Sequence, residues 1–313
     1  MVSRHSISWT SIACLFLASC GSVASPSPIP TLSEVEGPVV APTLPPDTPT
    51  AVPDYVSEIR NAEYHLGAVD SLRVVQLTDG KFEQGTPGGV DFISVLVTDF
   101  VARGDLTTDG VDEFAALIAE NYGGTGVFVF LAVYAELNGS PVFQTSVIVD
   151  DRPRINALYF EDGEIFLDAT IHGFDDPGCC PALRTGRHFR LSGGQLGMTD
   201  YVTFTPDERA RTITIDSPAN GAVVSNSVEL KGSVAIAPFE NNLEYHIYDV
   251  GGVELSAGAI PVSAADVGTA GTFDSFIRLG HILSGAVIQI EVQDINAADG
   301  SLFAMDSVEL VVK

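Results

Sequence analysis

Three turn dipeptides constrain the fold more than any other feature of the sequence. Each stands between two short runs of alternating apolar residues, and each is of a type that tolerates the positive φ angles of a tight hairpin. The three pairs are Asp79-Gly80, Asn138-Gly139 and Asp162-Gly163. A hairpin is therefore predicted across every pair, and residues 55–200 are predicted to form an antiparallel β domain.

Other segments of this first domain differ in their pattern. FISVLVTDFVA and GVFVFLAVYAEL are almost continuously apolar, which is typical of central strands covered on both faces. FAALIAE is short and lies between turn signals, so it is predicted to be a strand. PDYVSEIRNAEY is the segment in which one short helix is predicted.

A second β domain is predicted over residues 208–313. About seven strand-like segments follow one another there at the spacing of a β-sandwich, without the cysteine pair and tryptophan of antibody domains. Period-two alternation selects the residues that should fill its core. These are Val228, Leu230, Ile247, Ile288 and Val292.

The second domain resembles the Gmad2 family, the immunoglobulin-like domain named from bacterial spore-germination proteins. The resemblance is carried by four motifs that look like turns and strand positions of that family. They are S-P-A-N-G-x-x-V (Ser217 to Val224), V-E-L-K-G (Val228 to Gly232), P-F-E-N-N-L (Pro238 to Leu243) and the turn Asp299-Gly300-Ser301. The resemblance implies an immunoglobulin-like β-sandwich and brings no activity with it.

The first domain resembles a domain of bacterial lipoproteins of unknown function. The matching pieces are TDGKFE (Thr78 to Glu83), the stretch from Gly104 to Gly126, and DDPGCCP (Asp175 to Pro181). A similar D-P-x-C-C-P stretch occurs in short mycobacterial lipoproteins of the LppP/LprE type. Neither likeness implies a ligand or a reaction.

The N-terminus has the pattern of an export signal. Arg4 precedes a mostly apolar stretch that is too short to span a membrane, and residues 1–19 end in L-A-S before Cys20. L-A-S-C resembles the bacterial lipobox, which implies cleavage before Cys20 and attachment of lipid to its sulfur. Residues 20–54 are predicted to be a tether, because positions 21–53 hold nine of the 18 prolines and cannot bury a core.

The charge balance limits the partners. The chain has 41 Asp and Glu against 15 Lys and Arg, a formal net charge of −26. Because neutralisation of phosphates supplies most non-specific affinity for nucleic acid, nucleic acid is not an expected partner. The expected contacts are a membrane, through the N-terminal lipid, and an unidentified ligand of the envelope or the exterior.

The sequence offers little support for an enzyme. It has no G-x-S-x-G elbow, no S-x-x-K pair, no P-loop and no G-x-G-x-x-G motif. We therefore expect a non-catalytic protein without a cofactor. Trp9, the single tryptophan, lies in the predicted signal, so any carbohydrate-stacking surface of the mature protein must use tyrosine or phenylalanine.

One loop has part of a calcium-binding pattern. Asp105, Thr107, Asp109 and Val111, the last through its carbonyl, follow the opening spacing of an oxygen-rich calcium loop, with Gly110 at the sharp turn. The twelfth position is Ala116 rather than a bidentate Glu, leaving Asp112 or Glu113 as the substitute. The alternative is a turn in which the Asp side chains bind their own backbone.

Cys179 and Cys180 are neighbours, and they are the free thiols that remain once the signal is removed and Cys20 is lipidated. An oxidising exterior favours a vicinal disulfide between them. A second interpretation adds His172 and His188 to form a zinc or copper site, and a third keeps both thiols reduced or paired with another molecule. The sequence leaves all three open.

Together these features predict a mainly β lipoprotein held on the outer side of a bacterial membrane, at the cell surface or the periplasmic face. Its expected role is binding or envelope architecture. The alternative function is metal binding or thiol redox chemistry centred on Cys179 and Cys180. The compartment follows from the N-terminal signal, whereas the ligand does not follow from any motif.

The first prediction concerns the anchor. Cys20→Ala is expected to move the protein from membranes to a soluble fraction, because it removes the sulfur that would carry the lipid. Fractionation of cells followed by immunoblotting measures this, with Cys179→Ala as the matched control. Unchanged membrane partition of the Cys20→Ala protein would contradict the lipid anchor.

Overall fold

The computed structural model describes residues 55–68 and 73–313. The predicted signal, Cys20 and the proline-rich segment lie outside these residues. Within them the chain is mainly β with antiparallel sheets and very little helix, as predicted. The described ranges contain no helix long and apolar enough to cross a membrane.

The first layer is a five-stranded antiparallel sheet with the order β3-β4-β5-β6-β7. Its strands are β3 (Lys81–Gln84), β4 (Ile93–Gly104), β5 (Glu113–Asn121), β6 (Phe128–Leu137) and β7 (Ser140–Asp151). FAALIAE lies in β5, so the strand prediction is confirmed. Ala116, Leu117 and Ile118 are completely buried because both faces of β5 are covered.

One face of this sheet is covered by the N-terminal end of the described chain. Helix α1 (Tyr55–Ile59) precedes β1 (Glu63–His65), and β1 pairs with β2 (Val74–Gln76). The short helix predicted in this segment is thereby confirmed. Tyr64, Leu66 and Leu77 pack with Phe114 and Tyr134 in the core beneath it.

A buried carboxylate holds this cover in place. Glu120 of β5 is fully buried and accepts hydrogen bonds from Tyr64 Oη (2.6 Å) and Gly67 N (2.7 Å). It also accepts from Ala68 N at 3.1 Å and from Tyr122 Oη at 2.5 Å. Because a buried charge is costly unless it is hydrogen-bonded, these four donors explain why a glutamate is tolerated there. We refer to these contacts as the Glu120 clasp.

The opposite face of the five-stranded sheet packs against four further strands. They are β8 (Arg154–Glu161), β9 (Glu164–Ile171), β10 (Leu183–Ser192) and β11 (Gln195–Phe204), each paired antiparallel with the next. Ile165, Leu167 and Ala169 of β9 are completely buried and meet Leu117 and Leu131 in a second core.

Two of the three predicted hairpins are confirmed and one is wrong. Asn138-Gly139 joins β6 to β7 and Asp162-Gly163 joins β8 to β9, each with positive φ at both residues. Asp79-Gly80 also turns with positive φ, but only the bridge Thr78–Lys81 forms across it. The flanking strands instead find other partners, since β2 pairs with β1 and β3 with β4.

The C-terminal part is a sandwich around a third core. Its strands are β12 (Ala210–Arg211), β13 (Ile213–Ser217), β14 (Ala222–Val224), β15 (Ser227–Val234), β16 (Asn242–Asp249), β17 (Glu254–Ala264), β18 (Gly271–Arg278), β19 (Val287–Ile295) and β20 (Leu302–Val312). Strand β17 passes between the layers, pairing with β16 and then with β18. The five predicted core residues, Val228, Leu230, Ile247, Ile288 and Val292, are all buried.

Strands β11 and β20 join the two parts into one sheet. The pairs are Asp200 with Asp306, Tyr201 with Met305 and Val202 with Ala304. We call this pairing the seam. The sheet therefore continues from β8 through β11 and β20 to β16, across the boundary predicted between residues 200 and 208.

The seam places the second and third cores on opposite faces of the shared sheet. Leu167 of the second core lies in one cross-strand row with Arg187, Tyr201 and Met305. Ala304, one residue before Met305, belongs to the third core instead. Because successive side chains of a strand point to opposite faces, the face of β8–β11 opposite Leu167 is left outside the second core.

Candidate functional site

The candidate site is this uncovered side of β8–β11, which we call the open face. It is formed by the side chains that alternate with the buried residues of each strand. They are Arg154, Asn156 and Tyr159 on β8, Glu164, Phe166 and Asp168 on β9, Arg184, His188 and Arg190 on β10, and Asp200 and Phe204 on β11. Thr170 and Gly186 lie on the same side but are buried beneath their neighbours.

Three rings lie side by side across the open face. Tyr159, Phe166 and His188 occupy directly opposite positions on β8, β9 and β10. The ring centroids of Tyr159 and Phe166 are 4.7 Å apart, and those of Phe166 and His188 are 5.0 Å apart. This aromatic row follows the spacing of adjacent strands, and Tyr159 at its outer end is exposed.

A group of planar polar side chains lies beside the row. Asp168 accepts hydrogen bonds from Asn156 Nδ2 (2.8 Å) and from Arg184 Nη2 (2.9 Å). The Arg184 guanidinium also stacks 4.5 Å above the ring of Phe204. Burial opposes ionisation of Asp168, but the hydrogen bonds from Arg184 and Asn156 outweigh it and lower the pKa of this carboxyl.

A second polar group lies on the other side of the row. Glu164 is ion-paired with Arg190 and accepts a hydrogen bond from Thr199 Oγ1 at 3.1 Å. The groups around Asp168 and Glu164 are therefore hydrogen-bonded flanks on the two sides of the aromatic row. The open face thus presents rings in the middle and ordered hydrogen-bonding groups on either side.

The row continues into the seam. His188 Nδ1 lies 3.4 Å from Asp200 Oδ1, and the hydrogen bond with this carboxylate raises the pKa of His188. Asp306 follows directly opposite Asp200 and accepts hydrogen bonds from Ile215 N and Ser307 N, both at 2.7 Å. Burial raises the pKa of Asp306 to about 6, with a smaller contribution from Asp200 and Glu164.

Cys179 and Cys180 lie elsewhere, in the loop between β9 and β10. Both are exposed, and their Sγ atoms are at disulfide-bonding distance with the Cα atoms 3.8 Å apart. Asp176 closes the loop by accepting hydrogen bonds from Gly173 N (2.8 Å) and Ala182 N (2.7 Å). This arrangement of the two sulfur atoms is compatible with a vicinal disulfide, which stays a prediction.

The structure does not assemble the predicted zinc or copper ligands. His172 stands at the start of the cysteine loop, where its N and Nδ1 approach Asp150 Oδ2 at 2.6 and 3.0 Å. His188 lies five residues along β10 from Leu183, about 16 Å at the rise of a strand. The β-strand therefore carries His188 away from Cys179 and Cys180 and onto the open face.

The candidate calcium loop connects β4 to β5, and its carboxylates bind backbone. Glu113 accepts from Leu106 N and Thr107 N at 2.8 and 3.1 Å. Asp105 accepts from Asp109 N and Gly110 N, and Asp109 accepts from Val111 N. These hydrogen bonds are those of the turn interpretation, while calcium binding stays a hypothesis.

The sequence reasoning did not single out the open face. Its signal was present in ALYFEDGEIFLD, because a two-residue turn at Asp162-Gly163 fixes the register of the hairpin. That register sets Tyr159 opposite Phe166. The position of His188 beside Phe166 could not be predicted in this way, because His188 lies on β10, which is not part of the hairpin.

Comparison with known proteins identifies the C-terminal part. Residues 212–301 match the Gmad2 family model, the immunoglobulin-like domain of bacterial spore germination. The resemblance predicted from the sequence motifs is thereby confirmed. No curated protein matches the chain. The open face and all of β20 lie outside the Gmad2 match, so the family description does not extend to them.

The second prediction concerns Asp306. Burial raises the pKa of Asp306 from the ordinary value of 3.8 to about 6, so the folded protein favours the protonated carboxyl. The stability that this protonated form provides is fully present below pH 3.8 and is lost as the pH rises through 6. That loss corresponds to about 3 kcal/mol. Asp306→Asn removes the titration, so the mutant should gain stability relative to wild type by about this amount between pH 4 and 7.

Urea unfolding at several pH values measures this difference. Asp216→Asn, an exposed change on the neighbouring strand β13, is the matched control and should follow the wild-type profile. A constant stability difference between Asp306→Asn and wild type from pH 4 to 7 would contradict the raised pKa.

The third prediction concerns the cysteine pair. The N-terminal pattern predicts export to an oxidising exterior. On that expectation, intact mass of unreduced, chelator-free protein should be two hydrogens below that of the reduced form, with no bound metal and no dimer. Reduction followed by alkylation should then label both cysteines. Stoichiometric zinc or copper, with both thiols alkylatable after chelation, would instead support the metal interpretation.

Proposed function

We propose that this chain is a lipid-anchored extracytoplasmic protein whose folded part is a non-catalytic binding module. The anchor is supported by L-A-S-C at residues 17–20 and by the proline-rich stretch that follows it. The observation that carries the binding role is the aromatic row of Tyr159, Phe166 and His188 on the open face. The contacting surface of the proposed module is therefore the open face.

The arrangement of charges on this face favours binding over catalysis. Asp168 and Glu164 are each engaged by an arginine and a second donor. Groups held in this way are preorganised to hydrogen-bond a ligand, whereas a nucleophile or general base needs a free lone pair aimed at the reacting atom. Their position on the broad side of a sheet also suits a large partner better than an enclosed small substrate.

The acidity of the chain supports the same choice of partner. A net charge of −26 opposes approach of nucleic acid and of anionic lipid surfaces. In this proposal the membrane is reached only through the N-terminal lipid. The open face is left for a component of the envelope or of the exterior.

Thiol chemistry is the second candidate function. It is supported by one observation, the exposure of Cys179 and Cys180 at bonding distance in a loop that Asp176 closes independently. In such a loop the sulfurs are accessible to an exchanging thiol, and the strands on either side do not depend on them. The mass measurement proposed above gives the starting redox state.

The fourth prediction tests the binding role. The purified full-length Cys20→Ala protein, fluorescently labelled, should bind to envelope fragments of its native host in a saturable manner. Tyr159→Ala with Phe166→Ala should reduce this binding strongly, because both changes remove rings from the centre of the surface. Phe276→Ala is the matched control, since Phe276 is an exposed aromatic on β18 with 73% exposure.

Circular dichroism and thermal unfolding should show all three proteins folded alike. Envelope binding that the double variant retains in full would overturn the assignment of the open face. Absence of any saturable binding by the unmutated protein would overturn the binding role itself.

A further inference from the structure

We propose that the ligand of the open face is a neutral glycan, a polysaccharide chain without charged groups. This inference rests on the binding role proposed above and names the ligand class for the same surface. The sugar rings would stack along the aromatic row, while their hydroxyl groups would bind the ordered polar groups on either side.

The aromatic row supplies the stacking part of the site. A pyranose ring has apolar C–H faces, and an aromatic ring offers a large, flat and rigid apolar surface to pack against them. Tyr159 and Phe166 lie 4.7 Å apart with their planes tilted by 39°, and His188 follows at 5.0 Å with a tilt of 50°, so the rings form a row of inclined surfaces across three strands. A strip of this kind suits an extended chain of sugars.

A glycine lies beside the ring in the middle of the strip. Gly186 on β10 is the neighbour of Phe166 on the side of Asp168, and a Cβ at this position would lie 3.5 Å from Phe166 Cε2. Any larger side chain would extend over the edge of the Phe166 ring. Gly186 is buried, and the absence of a side chain there lets the Phe166 ring lie close to the backbone of β10.

The polar flanks supply the hydrogen-bonding part. Asp168 keeps acceptor capacity beyond Asn156 and Arg184, and Arg184 keeps N–H donors beyond the one given to Asp168. Together they present donors and acceptors side by side, as hydrogen bonding to the hydroxyl groups of a sugar requires. Glu164 with Arg190 and Thr199 provides a similar set across the row.

The charges of the open face favour an uncharged ligand. Arg184 and Arg190 are ion-paired with Asp168 and Glu164, and Arg154 is hydrogen-bonded to Thr170 Oγ1. An acidic polysaccharide would have to separate these pairs and approach a molecule with a net charge of −26. A neutral glycan uses the pairs as they stand and meets no repulsion.

The test measures binding of the full-length Cys20→Ala protein to purified polymers. The neutral probes are glucan, mannan and xylan and chito-oligosaccharides; the acidic probe is polygalacturonate, and an unstructured peptide pool represents proteins. Affinity gel electrophoresis and isothermal titration calorimetry give the dissociation constants. We expect at least one neutral probe to bind, and polygalacturonate and the peptide pool to show no binding.

Variants of the row provide the sharpest readout. Phe166→Ala and Tyr159→Ala should each weaken binding about fivefold or more, the scale seen for loss of one stacking ring. Tyr159→Phe keeps the ring and should restore most of the affinity. Phe276→Ala, the same substitution on an exposed ring of β18, should leave the dissociation constant unchanged. Matching unfolding temperatures establish that each variant is folded.

Each remaining outcome decides a different point. Envelope binding without binding of any neutral probe would overturn the glycan and leave the binding role standing. Binding of polygalacturonate or of the peptide pool that depends on Phe166 would assign the open face to that class instead. Neutral-glycan binding that neither ring variant changes would overturn the location of the site.

Discussion

The architecture depends on a short stretch of backbone pairing, the seam between β11 and β20. Three residues on each strand join two separately formed cores into one sheet. The side chain of Thr203 strengthens the junction by donating to Phe303 O at 2.6 Å. The seam also sets Asp200 opposite Asp306, an arrangement of like charges that is unfavourable in a sheet and is offset here by backbone donors to Asp306.

The seam also explains why one face of β8–β11 is left uncovered. A sheet inside one sandwich has one face in the core and one in solvent, and the two sandwiches here use opposite faces of the same sheet. The uncovered face of β8–β11 therefore lies between the C-terminal sandwich on one side and β8, the last strand of the sheet, on the other. Its rings and ion pairs are held by strands that are buried on their other side, so the surface is rigid.

Local signals in the sequence predicted much of this structure, but they did not predict the pairing of strands that are far apart in the chain. The turns at Asn138-Gly139 and Asp162-Gly163 define hairpins because both partners are adjacent in the chain. The hairpin predicted across Asp79-Gly80 was wrong because a turn dipeptide fixes the turn but not the partners of the strands beside it. The seam joins residues such as Thr203 and Phe303, 100 positions apart, which no local pattern reveals.

For the candidate site, composition indicated that tyrosine and phenylalanine would supply any stacking surface. His188 also lies in the row, because it is on β10, a strand that the hairpin pattern did not include.

The Glu120 clasp has a mechanical consequence in the proposal that the protein is anchored through its N-terminus. Force applied at Tyr55, where the described chain begins, travels through α1 and β1 and meets the carboxylate of Glu120. That carboxylate belongs to β5, the middle strand of its sheet, so tension is delivered to the centre of the layer and shared by neighbours on both sides. An edge strand loaded in the same way could be peeled off one hydrogen bond at a time, whereas β5 cannot leave without parting from β4 and β6 together.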